Sequence, residues 1–177
     1  MSITEVTPKK LEEFTGELKK NKIEYIIIAG LGLDGKRGYL TRPHQDVDIL
    51  FLKKDKEKVE KAYEKLGYSI KENDNDKYQL RRADGSKIDL VYLTIEGNEA
   101  VSYGRIAITR FPKQLFEKSQ VGKIDSVKFN IAPNELLATW GKDSQKGDDA
   151  EYSKTLPVNK ELIDKIKRVL RKEIEIK

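Results

Sequence analysis

Two aspartates one residue apart, Asp46 and Asp48, lead into the apolar run Ile49–Leu52 within the stretch TRPHQDVDILFL, residues 41–52. Side chains alternate across an extended strand, so both carboxylates face one side, roughly 6.5 Å apart at a rise of about 3.3 Å per residue. Like charges held that close in a half-buried place repel unless a cation lies between them. Carboxylate oxygens select a hard divalent ion such as Mg²⁺ or Mn²⁺. A third carboxylate, Asp89, stands in SKIDLVYL (86–93), where an acid among Ile88, Leu90 and Val91 is poor strand chemistry without a purpose. If the two strands are neighbours, the three carboxylates converge. The plainer reading of the same pair has Asp46 capping backbone amides where the strand begins and Asp48 solvated on a sheet edge. An EF-hand is excluded, because no Asp-x-Asp-x-Asp-Gly loop closed by a glutamate is present.

The composition narrows the chemistry further. The chain has 177 residues, no cysteine and a single histidine, His44. That removes disulfides, thiolate metal sites and cysteine nucleophiles together. Any metal must rest on oxygen, with at most one imidazole. Charged residues make up 37%, against a usual share of about 25%, so the surface is heavily charged. The net charge of +5 from 35 basic and 30 acidic residues favours anionic ligands such as nucleotides, and permits RNA without requiring it. No apolar run approaches the roughly 18 residues of a membrane span, and MSITEVTPKK lacks the apolar stretch of a signal peptide. A cytoplasmic location with no membrane partner is therefore expected. The length predicts one domain over 1–177, with a catalytic core in 1–95 and a strand-and-helix C-terminal extension in 96–177.

Positioning the carboxylates requires a rigid frame. TPKKLEEFTGELKKN reads as an amphipathic helix, with Thr7 as cap, Pro8 in the first turn and Leu11, Phe14 and Leu18 on one face. KIEYIIIAG is a strand buried on both faces, and the glycines at 30, 32, 35 and 38 of AGLGLDGKRGY predict a flexible turn. QDVDILFL is the second strand. KKDKEKVEKAYEKLG is a helix capped by Asp55, with Val59, Ala62, Tyr63 and Leu66 inward and Gly67 past its end. From Tyr68 the period becomes two, and YSIKEND, KYQLRRAD and SKIDLVYL read as three strands, the last two joined at Asp84-Gly85. RIAITR and KIDSVKFNIA are further strands around FPKQLFEKS, a short helix or turn. Two C-terminal helices are expected: NELLATWG, capped by Asn134 and closed by Gly141, and NKELIDKIKRVLRKEI, capped by Asn159 with Leu162, Ile163, Ile166, Val169 and Leu170 inward. The polar KDSQKGDDAEYSKTLP between them is in part helical. The order predicts an α+β fold, a mixed β-sheet flanked by helices.

The segment IIIAGLGLDGKRGYLTRPHQDVDILFL resembles the opening of the nucleotidyltransferase superfamily with the DNA-polymerase-beta-like fold. There a strand, a Gly-Gly or Gly-Ser turn and a short helix precede Asp-x-Asp on the next strand, and a third Asp follows later. The resemblance is closest to the aminoglycoside and lincosamide branch, whose order Asp34, Gly38, Thr41, Arg42, His44, Asp46 and Asp48 follow here. It covers most of residues 20–153, and the turn departs from it by reading Gly30-Leu31-Gly32. The resemblance implies metal-dependent transfer of a nucleoside monophosphate from a nucleoside triphosphate, expected to be ATP, to a hydroxyl of a small molecule or protein, with release of pyrophosphate. Asp46 and Asp48 would then hold two Mg²⁺ (or Mn²⁺) ions, and Asp89 would complete the set and accept the hydroxyl proton. Gly30, Leu31 and Gly32 would bring the backbone to the phosphates, with Arg42 as a clamp. Lys142 and Lys146, with Asp148 and Asp149, would face the cleft. His44 and Thr41 would orient the loop or an aspartate from behind.

Read from the residues alone, several of these positions carry blander meanings. Arg42 is then a solvated turn residue and 142–149 a polar linker, while Trp140, Phe111 and Phe116 are core. Two other functional classes also fit the sequence. One is a non-catalytic nucleotide-binding or regulatory module on the same fold, including a toxin-antitoxin-type member with a protein partner. The other is an RNA-binding or RNA-modifying protein using KKDKEKVEK and QLRRADG. Those basic residues sit among acidic ones without interleaved aromatics, so nucleic acid is not the expected partner.

Overall fold

The computed structural model describes residues 5–74, 77–104 and 107–170. The chain's first four residues, the start of the strand expected from Arg105, and the end of the helix expected over 159–174 lie outside them. Helix α1 (Pro8–Lys20) starts where Thr7 Oγ1 accepts from the Lys10 amide, and it buries Leu11, Phe14 and Leu18. Strand β1 (Tyr25–Ile27) leads into α2 (Ala29–Arg37), then β2 (Asp46–Leu52), a tight helical turn at Lys53–Asp55, and α3 (Lys56–Lys65). Strands β3 (Ser69–Asp74), β4 (Lys77–Arg81), β5 (Lys87–Glu96), β6 (Glu99–Tyr103) and β7 (Ala107–Pro112) follow, then α4 (Lys113–Glu117) and the hairpin β8 (Gln120–Ile124) and β9 (Val127–Ile131). Helices α5 (Asn134–Gly141), α6 (Asp149–Thr155) and α7 (Lys160–Asp164) precede β10 (Lys167–Leu170).

One mixed sheet runs in the order β10-β7-β6-β5-β2-β1-β9-β8, with β4 paired to β5 and β3 to β4. β2 runs parallel to β5, with Val47 opposite Ile88, Asp48 opposite Asp89 and Ile49 opposite Leu90. A parallel pair needs a crossover, and here it consists of α3 and the β3-β4 hairpin. β4 then pairs antiparallel with Lys87–Val91, the stretch of β5 that β2 also pairs, so β5 lies between them. The boundary expected at 95/96 falls within β5, which continues past β2 to hairpin with β6. Edge-on rings of Phe51, Tyr78 and Tyr92 fill the core on one side, and Tyr63 donates to the Phe14 carbonyl where α3 packs on α1. Full burial of each such side chain contributes about 1.5–3 kcal/mol. No helix among the described residues is long and apolar enough to cross a membrane.

Several local expectations are corrected. The glycine-rich stretch is the helix α2 rather than a flexible turn; Gly38, left-handed at φ 98°, ends it by donating to the Asp34 carbonyl. KIDSVKFNIA is a hairpin, not one strand, because Asp125 turns the chain at φ 53°. β6 was not expected as a strand; a turn at Gly97 folds it back on β5. Asn159 does cap, accepting from the Glu161 amide, but its helix stops at Asp164. Lys167–Leu170 instead pairs with β7, leaving Val169 and Leu170 exposed rather than inward. Asn134 lies inside its helix after Pro133 and donates to the Pro157 carbonyl, so it is a tether and not a cap. Asp55 does not bond the first amides of α3, because its carboxylate takes Lys58 Nζ at 3.0 Å.

Candidate active site

β2 presents Asp46 and Asp48 to a cleft of about 870 Å³, while Val47 and Ile49 point into the core. Burial, and then the charges of Asp46 and Asp89, push the Asp48 carboxyl up to about 7; Lys77 and Lys146 offset this in part. Asp89 is buried beside Asp48 in the register, and both its oxygens are engaged from β4. Gln79 Nε2 donates to one at 2.7 Å and Lys77 Nζ meets the other at 2.8 Å. Burial works against the Lys77 ammonium, yet the hydrogen bond and charge of Asp89, with Asp48 and Asp46 behind, raise its pKa above the ordinary lysine value. The three carboxylates are thus neighbours, but among the described residues no three acidic or imidazole groups are drawn into a closed ligand set. The donor chemistry suits a hard divalent ion nonetheless. The ligands are oxygens only, and ionisation of Asp48 is opposed until positive charge arrives.

α2 and the loop that follows it also line the cleft, and the Ile28 amide just before α2 donates to the Asp48 carbonyl at 3.1 Å. Ala29 takes φ 56°, a left-handed conformation that costs a non-glycine residue about 1–3 kcal/mol. This bend swings the chain from β1 into α2, whose first turn Ala29–Leu31 lines the cleft with no side chain capping it. An uncapped first turn offers free amides and the positive end of the helix dipole. A Cβ at Gly30 would collide with Arg42 Nη2 and lie 3.0 Å from His44 Cε1 and 3.1 Å from Asp149 Oδ2. A side chain at Gly30 would therefore have to displace the Arg42 guanidinium that crosses over it. Gly32 has a different role from the one expected. Its Cβ would meet Leu137 Cδ2 at 2.7 Å and the Ile27 carbonyl at 2.9 Å, so it lets α2 pack against β1 and α5 and does not line the cleft.

Asp34, fully buried on α2, organises the loop that carries Arg42 and His44. It accepts from His44 Nε2 at 2.8 Å, the Thr41 amide at 2.9 Å, Thr41 Oγ1 at 2.8 Å and Arg37 Nη1 at 3.1 Å. Burial works to raise its pKa, but these donors, His44 first, hold it below the usual carboxylate value. An ionised Asp34 requires His44 Nε2 to carry the hydrogen it shares. Thr41 and His44 thus fix Asp34 and the loop, and neither is bonded to Asp46 or Asp48 among the described residues. Arg37 continues the network to Asp148 at 2.7 Å and lies 4.0 Å above the Tyr152 ring, docking α6. Arg42 pairs with Asp149 at 3.1 Å, while its buried Nε has no hydrogen-bond partner among the described residues.

Lys142 and Lys146 line the cleft from the loop after α5, as does Trp140, set edge-on to Phe111. Phe111 and Phe116 are core, as read from the sequence, whereas Trp140 is only partly buried and forms wall. Thr109 of β7 and Arg168 of β10 complete the far side. Neither carried a sequence signal: Arg168 sat in an expected helix, and Thr109 in a strand with no visible neighbour. Asp149, expected from the resemblance to face the cleft, lines it, whereas Asp148 is not among the lining residues.

Residues 10–133 match the profile of the aminoglycoside-2''-adenylyltransferase family. A comparison with curated protein sequences found no match. Among solved structures, a lincosamide antibiotic adenylyltransferase, LnuA with lincomycin bound, superposes with a TM-score of 0.70 at 20% identity, covering 87% of this chain and 100% of that one. ANT(2'')-Ia in complex with adenylyl-2''-tobramycin superposes with a TM-score of 0.64 at 13% identity, covering 84% of this chain and 87% of that one. At these identities the two structures share the fold.

Proposed function

The chain belongs to the aminoglycoside-2''-adenylyltransferase family and is thereby a nucleotidyltransferase, and we propose that it transfers AMP from ATP to a hydroxyl of a small molecule, releasing pyrophosphate. One observation carries this reading. Asp46 and Asp48 line the same cleft as the uncapped first turn of α2 and Arg42, so carboxylates with no ion-pair partner among the described residues share it with donors suited to phosphate.

In this reading Asp46 and Asp48, with Asp89 beside them, would hold Mg²⁺ or Mn²⁺, the ion competing with Lys77 for Asp89. An ion held there would supply charge to offset the phosphates and to acidify the acceptor hydroxyl. The first turn of α2 receives phosphate oxygens on its backbone amides, and Arg42, with its unpartnered Nε, adds a charge-assisted donor. Lys142 and Lys146 supply further positive charge from the loop above. The acceptor oxygen bonds to the α-phosphorus as the bond to the bridging oxygen breaks; the electron pair leaves on pyrophosphate, and the hydroxyl proton passes to Asp89. The protein's contribution is chiefly orientation and a preorganised field.

The test is incubation with α-labelled ATP and a panel of hydroxylated aminoglycosides and lincosamides, with Mg²⁺, Mn²⁺ or chelator. Labelled acceptor should form with metal and not with chelator. One feature favours a second reading: both oxygens of Asp89 are already occupied, by Gln79 and Lys77. If ATP and Mg²⁺ raise the melting temperature while no acceptor is labelled, a non-catalytic nucleotide-binding module replaces the enzyme.

A further inference from the structure

Asp149 opens α6, beyond the residues matched to the family, and its side chain is 2% exposed. Its Oδ2 accepts from Arg42 Nη2 at 3.1 Å and from Ser144 Oγ at 3.3 Å, and its Oδ1 faces Arg37 Nη1 at 3.5 Å. Ser144 Oγ in turn accepts from the Lys146 amide at 3.3 Å. One carboxylate therefore ties together α2, the arginine that crosses Gly30, and the loop bearing Lys142 and Lys146. Arg37 already has Asp34 and Asp148 as partners, which leaves Arg42 as the cation that depends on Asp149. A Cβ at Gly30 would meet both Arg42 Nη2 and Asp149 Oδ2, so the ion pair lies directly over the first turn of α2 and the carboxylate holds the guanidinium there.

We propose that Asp149 is a positioning residue for the phosphate end of the site. It presets Arg42 across Gly30 and, through Ser144, sets the 142–148 loop so that its lysines line the same end. The proposal rests on the nucleotidyltransferase reading. An arginine held in place before the ligand arrives loses less rotamer freedom on binding, so the gain is in affinity for the phosphates.

The experiment is calorimetric titration of the full chain with inorganic pyrophosphate, comparing wild type, R42A, D149N, S144A and R42A/D149N. Asparagine keeps the size of Asp149 and one acceptor; should D149N not fold, D149E with its displaced carboxylate takes its place. R42A and D149N are each expected to weaken binding about tenfold, the loss of one charge-assisted contact. The double variant should bind no more than about threefold weaker than R42A, because Asp149 acts through Arg42. S144A should give a smaller loss. In turnover, D149N should raise KM for ATP by a similar factor and leave kcat within about threefold. A folded D149N that binds pyrophosphate as well as wild type or better, losses that add fully in the double variant, or a fall in kcat at unchanged KM would overturn the proposal. An R42A that binds like wild type would overturn the phosphate-end reading itself.

Discussion

The carboxylates of β2 and the network on α2 line one cleft but handle charge in opposite ways. On β2, Asp46 and Asp48 gather like charge that the protein leaves largely uncompensated, with Lys77 committed to Asp89. Around α2, Arg37 and Arg42 pair with Asp34, Asp148 and Asp149 in one network, which His44 joins through its hydrogen bond with Asp34. Such a network is stable without a ligand and serves to hold shape. An unpaired cluster is costly when empty and gains most when a cation arrives. In the proposed reaction the carboxylates would thus serve what binds, and the α2 network where it binds.

The largest break in that contrast should come from Asp48→Asn. Label transfer should fall by on the order of 10²–10³-fold, as when a preorganised electrostatic contact is lost. The metal-free variant should nevertheless melt above wild type at pH 8, because a repelling charge is gone. A variant with undiminished transfer would remove Asp48 from the metal site. Asp34→Ala should act in the reverse sense. It strips four donors of a buried acceptor and should cost about 3–5 kcal/mol in denaturant unfolding; a loss under 1 kcal/mol would mean that the network is not what holds the loop.

The pH dependence separates the two groups next. Asp48 is pushed up to about 7 in the folded protein. Between about pH 4 and 7 the fold then keeps a proton that the unfolded chain has released, so the stability of the metal-free protein declines as pH rises through that window. Millimolar Mg²⁺ should reverse the decline, and Asp48→Asn should flatten it. Asp34, whose pKa is lowered, contributes stability above the ordinary carboxylate pKa that is lost as pH falls through its folded value. Melting curves across pH with and without Mg²⁺ read both. The smallest effects belong to the glycines. Gly30→Ala should displace Arg42 and raise KM for ATP about tenfold at little cost in stability. Gly32→Ala, which overpacks against Leu137 and the Ile27 carbonyl, should cost about 1–3 kcal/mol and leave KM unchanged in the fraction that folds.

This division also governs what could be read in advance. Asp46, Asp48 and Asp89 were legible because an acid in an apolar strand conflicts with its surroundings and the conflict shows in one dimension. Around Asp34 and Asp149 the resemblance named the residues but not their pairings, since these charges conflict with nothing locally and meet only where α6 docks on α2. The glycines misled for a related reason. Their spacing signals a turn when each is taken as backbone freedom, whereas Gly30 and Gly32 are small because Arg42 and Leu137 need the room. At the C terminus, apolar spacing in Ile163–Leu170 fits a helix as well as a strand, and backbone pairing with β7 decided it.

The parallel pairing of β2 with β5 has a kinetic side. Asp48 and Asp89 are separated along the chain by a helix and a hairpin, and nothing local brings them together. Such a contact forms only after the entropy of closing a long loop has been overcome, which places it late in folding. Metal affinity during refolding should therefore appear with the last phase, making ion binding a reporter of the finished sheet and leaving folding intermediates without a metal site.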